Sequence, residues 1–197
     1  MSLFTPENIL PSDGTVIYLG PIFSFDQANS LFHQLFDEIP WQADEAFIYG
    51  KHFITKRKVA WYANQSFPYT YSNTTKMARP WTPLLLLLKS KVEVYSGETF
   101  NACLLNLYHS GDEGMAWHSD DEPSLNTSSS IASLSLGAAR KFAFKHKQSQ
   151  QRIDVLLEPG SLLLMKPPTQ TFWQHRLPPS KKIHSARINL TFRTMNE

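Results

Sequence analysis

His118 and Asp120 stand two residues apart in the stretch Trp117-His118-Ser119-Asp120-Asp121-Glu122-Pro123, and His175 lies far downstream. In extended backbone that spacing turns both side chains to one face. Two imidazoles and a carboxylate make the two-His-one-carboxylate set that suits Fe(II), because it leaves coordination positions open for oxygen and a co-substrate. Taken alone, His-x-Asp is an ordinary surface pair. Its significance depends on what the rest of the chain places beside it.

The segment Ala186-Arg187-Ile188-Asn189-Leu190-Thr191-Phe192-Arg193 alternates strictly. Period two puts Arg187, Asn189, Thr191 and Arg193 on one face and Ile188, Leu190 and Phe192 on the other. If the polar face looks into a barrel, its two guanidiniums need anions, and a dicarboxylate would supply them through bidentate contacts. Upstream, Leu104, Asn106 and Tyr108 share one face. The amide and the phenol can both hydrogen-bond a carboxylate or keto oxygen. Of the other histidines, His33, His52, His109, His146 and His184 show no carboxylate partner at ligand spacing. His146, in a lysine-rich strand, reads as a surface residue.

These side chains must be positioned by a chain of 197 residues, 42% hydrophobic and 18% charged, which suits one globular domain. The net charge of +2 permits a polyanionic partner without demanding one. Cys103 is the only cysteine, so an internal disulfide and a cysteine-rich zinc site are excluded. The longest apolar run, Leu84 to Leu88, is too short to cross a bilayer, and the first residues lack the pattern of a secretory signal. A cytoplasmic (nuclear if eukaryotic) monomer with no membrane association is expected.

Val16 to Leu19 reads as a strand. Ser24 with Gln27 forms a capping-box pattern ahead of the helically spaced Ala28, Leu31, Phe32, Leu35 and Phe36, and Pro40 closes the segment. Phe47 to Lys51 reads as a strand entering a turn, Val59 to Tyr62 as its return, and Lys56-Arg57-Lys58 as the loop between. Thr82-Pro83 starts a second helix, which Gly97 stops. From Thr99 onward short strands are predicted at about 100–108, 131–136, 141–146, 152–157, 161–165, 171–175 and 186–193, a sandwich or barrel of the jelly-roll kind.

Five stretches, Asn106-Leu107-Tyr108, Trp117 to Leu125, Ile131 to Ala138, Trp173-Gln174-His175 and Arg187 to Arg193, resemble the AlkB family in order and spacing. The resemblance runs from roughly Tyr49 to the C-terminus and is nearest to the animal homologues acting on DNA. It implies an α+β, mainly β fold: a double-stranded β-helix (jelly roll) with N-terminal helices packed outside and a nucleotide-recognition hairpin region. It also implies a single catalytic domain over 1–197, with about 1–98 as N-terminal extension and nucleotide-recognition part and about 99–197 as jelly-roll core.

For function, the resemblance implies a dioxygenase using Fe(II), 2-oxoglutarate and O2 to repair N1-methyladenine and N3-methylcytosine in DNA by oxidative demethylation, with release of formaldehyde and succinate. His118, Asp120 and His175 are then the iron ligands. Asn106, Tyr108, Arg187, Asn189, Thr191 and Arg193 hold 2-oxoglutarate, with Arg187 assigned to the distal carboxylate and Arg193 to the chelating end, the reverse order remaining open. Tyr71 stacks on a flipped base with Tyr69 nearby, and Glu122 and Asp121 favour a cationic base. Ile48-Tyr49-Gly50-Lys51 resembles the wedge of the duplex-preferring relative, with Lys51, Lys56, Arg57 and Lys58 meeting phosphates. The stretch Trp117 to Leu125 looks more like the relative preferring single strands, so strand preference is open. Alternatives are a demethylase acting mainly on RNA and a non-catalytic nucleic-acid reader on the same fold.

Overall fold

The structure is a computed structural model that describes residues 7–48, 51–66, 68–71 and 74–196. β1 (Thr15–Pro21) leads into α1 (Phe25–Glu38). The Ser24 side chain accepts the Gln27 N–H at 3.3 Å, and the Gln27 side chain accepts the Ser24 N–H at 3.1 Å, which closes the expected capping box. β2 (Gln42–Ile48), β3 (Lys51–Ala63), β4 (Pro68–Tyr71) and β5 (Thr74–Met77) precede α2 (Pro83–Ser96). The Thr82 hydroxyl accepts the Leu85 N–H at 3.2 Å, and Gly97 ends the helix at φ +70°. There follow β6 (Ala102–Tyr108), β7 (Met115–His118), β8 (Ile131–Gly137), β9 (Arg140–His146), β10 (Arg152–Leu157), β11 (Ser161–Lys166), α3 (Thr169–Phe172), β12 (Trp173–Leu177) and β13 (Arg187–Arg193).

The strands form a seven-stranded sheet in the order β1-β11-β8-β13-β6-β3-β2, a four-stranded sheet in the order β10-β9-β12-β7, and the hairpin β4-β5. Alternation then divides the core in two. Leu105, Leu107, Leu134, Leu136, Ile188, Leu190 and Phe192 face outward from the large sheet and are covered by Leu35 of α1 and Leu85, Leu88 and Val92 of α2. Both helices therefore lie outside the sheets, as expected. Val59, Trp61, Leu104, Leu163 and Met165 face the other way and meet Phe144 and Trp173 of the small sheet. Each such side chain contributes about 1.5–3 kcal/mol by leaving water. Among the described residues no helix is long and apolar enough to cross a membrane.

Register sets the site. In β13, Arg187 lies opposite Tyr108 of β6 and Gly137 of β8, and Asn189 lies opposite Asn106 and Ser135. In the small sheet His175 of β12 lies directly across from His118 of β7.

Four expectations need correction. Lys56-Arg57-Lys58 is not a loop but lies within β3, where the pairing with β2 shifts register between Ile54 and Lys58 and the pairing with β6 begins at Lys58. Alternation buries Arg57 while Lys56 and Lys58 stay exposed. The strand expected at 171–175 begins at Trp173, because the turn after Pro167-Pro168 continues as α3, with the Thr171 N–H donating to the Pro168 carbonyl at 2.9 Å. His146 is buried, not on the surface: β9 alternates, so its lysines point out while His146 packs edge-on to Trp173 at 5.0 Å between ring centres. His109, expected to lack a carboxylate, meets Glu113 Oε1 at 3.0 Å.

Gly137 has φ +79°, and a Cβ there would lie 2.5 Å from the Ala186 carbonyl oxygen and 2.8 Å from the Phe32 ring. Gly137→Ala should therefore destabilise the protein by roughly 1–3 kcal/mol in chemical denaturation. An unchanged denaturation midpoint would show that the turn does not constrain the register of β13.

Candidate active site

His118 ends β7, His175 is central in β12, and Asp120 sits just past β7, where its N–H donates to Gln170 Oε1 at 3.0 Å. The Ser119 hydroxyl donates to the Trp173 carbonyl at 3.0 Å, tying this turn to β12. His118 Nε2 is 3.8 Å from Asp120 Oδ1, and His175 Nε2 is 3.8 Å from Asp120 Oδ2. Metal–ligand bonds of about 2 Å allow two donors on one ion to lie up to about 4 Å apart. Both histidine–carboxylate distances meet that limit, and the three ligand atoms together lie within 4.8 Å of one another. His118 Nδ1 is 2.8 Å from the Ala116 carbonyl, which can only accept; Nδ1 therefore carries the proton and Nε2 presents its lone pair.

The same cavity is lined by Asn106, Tyr108, Arg187, Asn189, Thr191 and Arg193. Arg193 Nη2 donates to Asp120 Oδ1 at 3.1 Å and Nη1 to Glu122 Oε1 at 3.2 Å. Arg187 lies deeper among β-strands. Its Nη2 donates to Ser135 Oγ at 2.9 Å, its Cζ lies 5.7 Å from the Tyr108 ring centre, and its Nε is buried without a hydrogen-bond partner. Asn106 Oδ1 is likewise buried and unpartnered. Asn189 spends its amide on Ser133 Oγ (2.8 Å) and the Leu134 carbonyl (3.0 Å).

Electrostatics follow from burial. Desolvation alone would raise the Asp120 pKa, but Arg193, His175 and His118 together hold it below the ordinary carboxylate value. Burial drives His175 down to about 3, with His118 and Arg193 adding and Asp120 opposing. It is therefore a neutral imidazole at physiological pH, the form a metal ligand requires. Burial also lowers Arg187 to about 10, with Tyr108 opposing and Arg140 adding. A cation so destabilised, with an unused N–H, fits a carboxylate of 2-oxoglutarate.

The remaining expected residues divide. Glu122 lines the cavity, whereas Asp121 lines a neighbouring one with Lys147 and Gln170. Arg57 was expected on phosphate; alternation in β3 instead turns it into the cavity, paired with Asp44 and 2.8 Å from Met115 Sδ. Tyr69 and Tyr71 belong to β4, Ile48 ends β2 and Lys51 starts β3, while Tyr49 and Gly50 lie outside the described residues. Sequence reasoning missed Asp44, which carried no signal because its partner comes from another strand. It also missed Ser133 and Ser135, which were visible as the polar face of Ile131-Ala132-Ser133-Leu134-Ser135-Leu136.

Comparison with known proteins accords with this geometry. The family model of the 2OG-Fe(II) oxygenase superfamily matches residues 15–193, which sets the class: dioxygenases working with Fe(II), 2-oxoglutarate and O2. Alpha-ketoglutarate-dependent dioxygenase alkB homolog 3 of Bos taurus is 40% identical over 179 residues, covering 86% of this chain and 62% of that protein. DNA oxidative demethylase ALKBH2 of Homo sapiens is 38% identical over 183 residues, covering 87% of this chain and 70% of that protein. The chain therefore belongs to the AlkB family of that superfamily. It spans about 62% of the length of the cattle homologue. The solved structure of OsALKBH1 shares the fold, with a TM-score of 0.65 at 16% identity over 91% of this chain and 97% of that one.

The shift of His175 has a measurable consequence. Its folded pKa of about 3 lies below the ordinary 6.5, so between these values the unfolded chain binds the extra proton. Stability of the metal-free protein should be full above pH 6.5 and fall as the pH drops from 6.5 toward 3. Asp120 acts in the same direction lower down, being lost as the pH falls through its depressed value. Urea midpoints across this range should flatten in His175→Gln; an identical slope in that variant would remove the assignment.

Proposed function

We propose that this protein is an oxidative demethylase that repairs N1-methyladenine and N3-methylcytosine in DNA. The observation that carries this reading is the pairing, in one cavity, of the His118–Asp120–His175 group with the buried Arg187, whose Nε makes no hydrogen bond. His118, Asp120 and His175 would hold Fe(II). Arg187, with Tyr108 and Asn106, would take the distal carboxylate of 2-oxoglutarate. Arg193, bonded to Asp120, would stand at the iron end.

When bound, Fe(II) with 2-oxoglutarate and O2 supplies the oxidising power that turns an N-methyl group into N-hydroxymethyl, while 2-oxoglutarate becomes succinate and CO2. The hydroxymethyl C–N bond then breaks, releasing formaldehyde and the unmodified base. The chain's own residues do the positioning. Arg193 keeps Asp120 ionised as a ligand and orients its carboxylate. Phe142 stacks against His175 at 5.4 Å between ring centres and, with Met165, Leu104 and Val59, lines the cavity and limits water around the reacting atoms. Arg57 and Asp44 at the same cavity, with Glu122, supply donors and acceptors for the edge of an extruded base. Tyr69 and Tyr71 of the hairpin β4-β5 remain the proposed stacking residues, and the segment Ile48 to Lys51 the proposed wedge, with Lys56 and Lys58 exposed toward phosphate.

A turnover assay over methylated single- and double-stranded DNA and RNA should show formaldehyde release on N3-methylcytosine DNA that depends on Fe(II) and 2-oxoglutarate. His118→Ala should abolish it, and full activity in that variant would dispose of the proposal. Faster turnover on matched RNA would move the substrate class to RNA. Arg187→Met should raise the apparent KM for 2-oxoglutarate by roughly tenfold or more, as loss of a charge-assisted pair worth about 1.5–3 kcal/mol requires. An unchanged KM would take Arg187 out of the carboxylate site.

A further inference from the structure

The two faces of the small sheet are unlike. Inward it carries His118, His175, Phe142 and Phe144. Outward, period two brings together Trp117 of β7, Arg176 of β12, Lys145 of β9 and Arg152 of β10. Three cations crowd one indole: Arg176 Cζ lies 4.5 Å, Lys145 Nζ 4.9 Å and Arg152 Cζ 6.0 Å from the centre of the Trp117 ring. Among the described residues none of the three has an ion-pair partner. The acid on this face, Asp154, is engaged by Lys141 at 2.8 Å. Arg176 Nε is buried and makes no hydrogen bond.

Like charges held within about a Debye length of one another repel, and an exposed cation–π contact returns only about 0.5–1 kcal/mol each. Such a cluster therefore favours an anion. Its shape indicates which. The charges sit on three neighbouring strands, β12, β9 and β10, spaced about 4.8 Å apart, so they extend over roughly 10 Å, more than one phosphate covers. A groove lined by Trp117, Arg152, Arg176, Pro178 and Ile183 continues the row toward the loop that carries the exposed Lys181 and Lys182. β7 is the edge of its sheet, and Trp117 and His118 are consecutive residues on opposite faces of it. A strand with one nucleotide in the cavity need only pass round that edge to reach the outer face.

We propose that Trp117, Lys145, Arg152 and Arg176 form a phosphate-binding track for the nucleic-acid strand flanking the nucleotide held in the active site. This rests on the nucleic-acid reading above. The track adds affinity for longer strands, independent of sequence, and takes no part in the chemistry. The indole serves as the platform that orders the three cations and is itself covered by them.

The experiment uses the full chain with fluorescent, unmethylated single-stranded DNA of three and twenty nucleotides, with binding followed by anisotropy between 50 and 200 mM salt. Neutralising three phosphate contacts to single strands removes about 0.7 each from the slope of log affinity against log salt. The triple variant Lys145→Gln/Arg152→Gln/Arg176→Gln should therefore lower that slope by about 2 on the twenty-mer. Binding and turnover on a methylated trinucleotide should stay as in the wild type. If the triple variant melts early, Arg152→Gln alone decides: it is exposed, and its slope should fall by about 0.7. An unchanged slope on the twenty-mer, or an equal loss on the trinucleotide, overturns the track. Should the wild type bind the twenty-mer with the expected slopes yet turn over no methylated strand, the demethylase reading fails and the track stands. Turnover with an unmoved slope overturns the track and leaves the demethylase reading in place.

Discussion

A carboxylate that is fully enclosed yet ionised is the constraint on which the site depends. Asp120 is buried against every tendency of a charged group, and it stays charged chiefly because the Arg193 guanidinium donates to it. Arg193 comes from the last strand, Asp120 from the turn after β7 and His175 from β12, so the ionisation of one side chain requires both sheets to be in place. The cost of burial is offset only when the whole sandwich has formed. Local structure alone could not produce this site.

The same reasoning links stability to ligand need. Arg187 is held at 2% exposure with an unused N–H, and His175 is held neutral by its surroundings. Both carry a desolvation cost in the empty protein that neighbouring groups only partly offset. A cation at the histidines and an anion at the arginine relieve these demands together. Binding of such a pair would stabilise the fold by mass action.

Much of this was legible where the determining interactions are local. The Ser24–Gln27 box, the Thr82-Pro83 start and the Gly97 stop need only neighbouring residues, and they appear as read. The alternation of Arg187 to Arg193 and of Leu104 to Tyr108 also sufficed to put the polar sides on the cavity. Reading failed where a partner strand decides. Arg57 looked like a loop cation until β3 was found paired on both sides, and Asp44 became meaningful only as its partner. β7 is four residues long and follows Gly114, too short to show a period, although it carries His118. His146 was misplaced because lysines on the outer face of β9 masked its inward neighbours.

One further buried charge shows how the two histidine strands stay in register. Arg140, 1% exposed, donates to the carbonyls of Glu113 (2.8 Å), Pro178 (3.0 Å), Ser110 (3.2 Å) and Gly111 (3.3 Å). The first, third and fourth acceptors lie just before β7, and Pro178 lies just after β12. A single guanidinium thus clips together the entrance of one ligand strand and the exit of the other. Backbone carbonyls can meet its donors without cancelling its charge, and that charge adds to the pressure on Arg187. The clip that fixes the metal ligands therefore also sharpens the demand for an anion beside them, so that geometry and electrostatics at this site are set by the same residue.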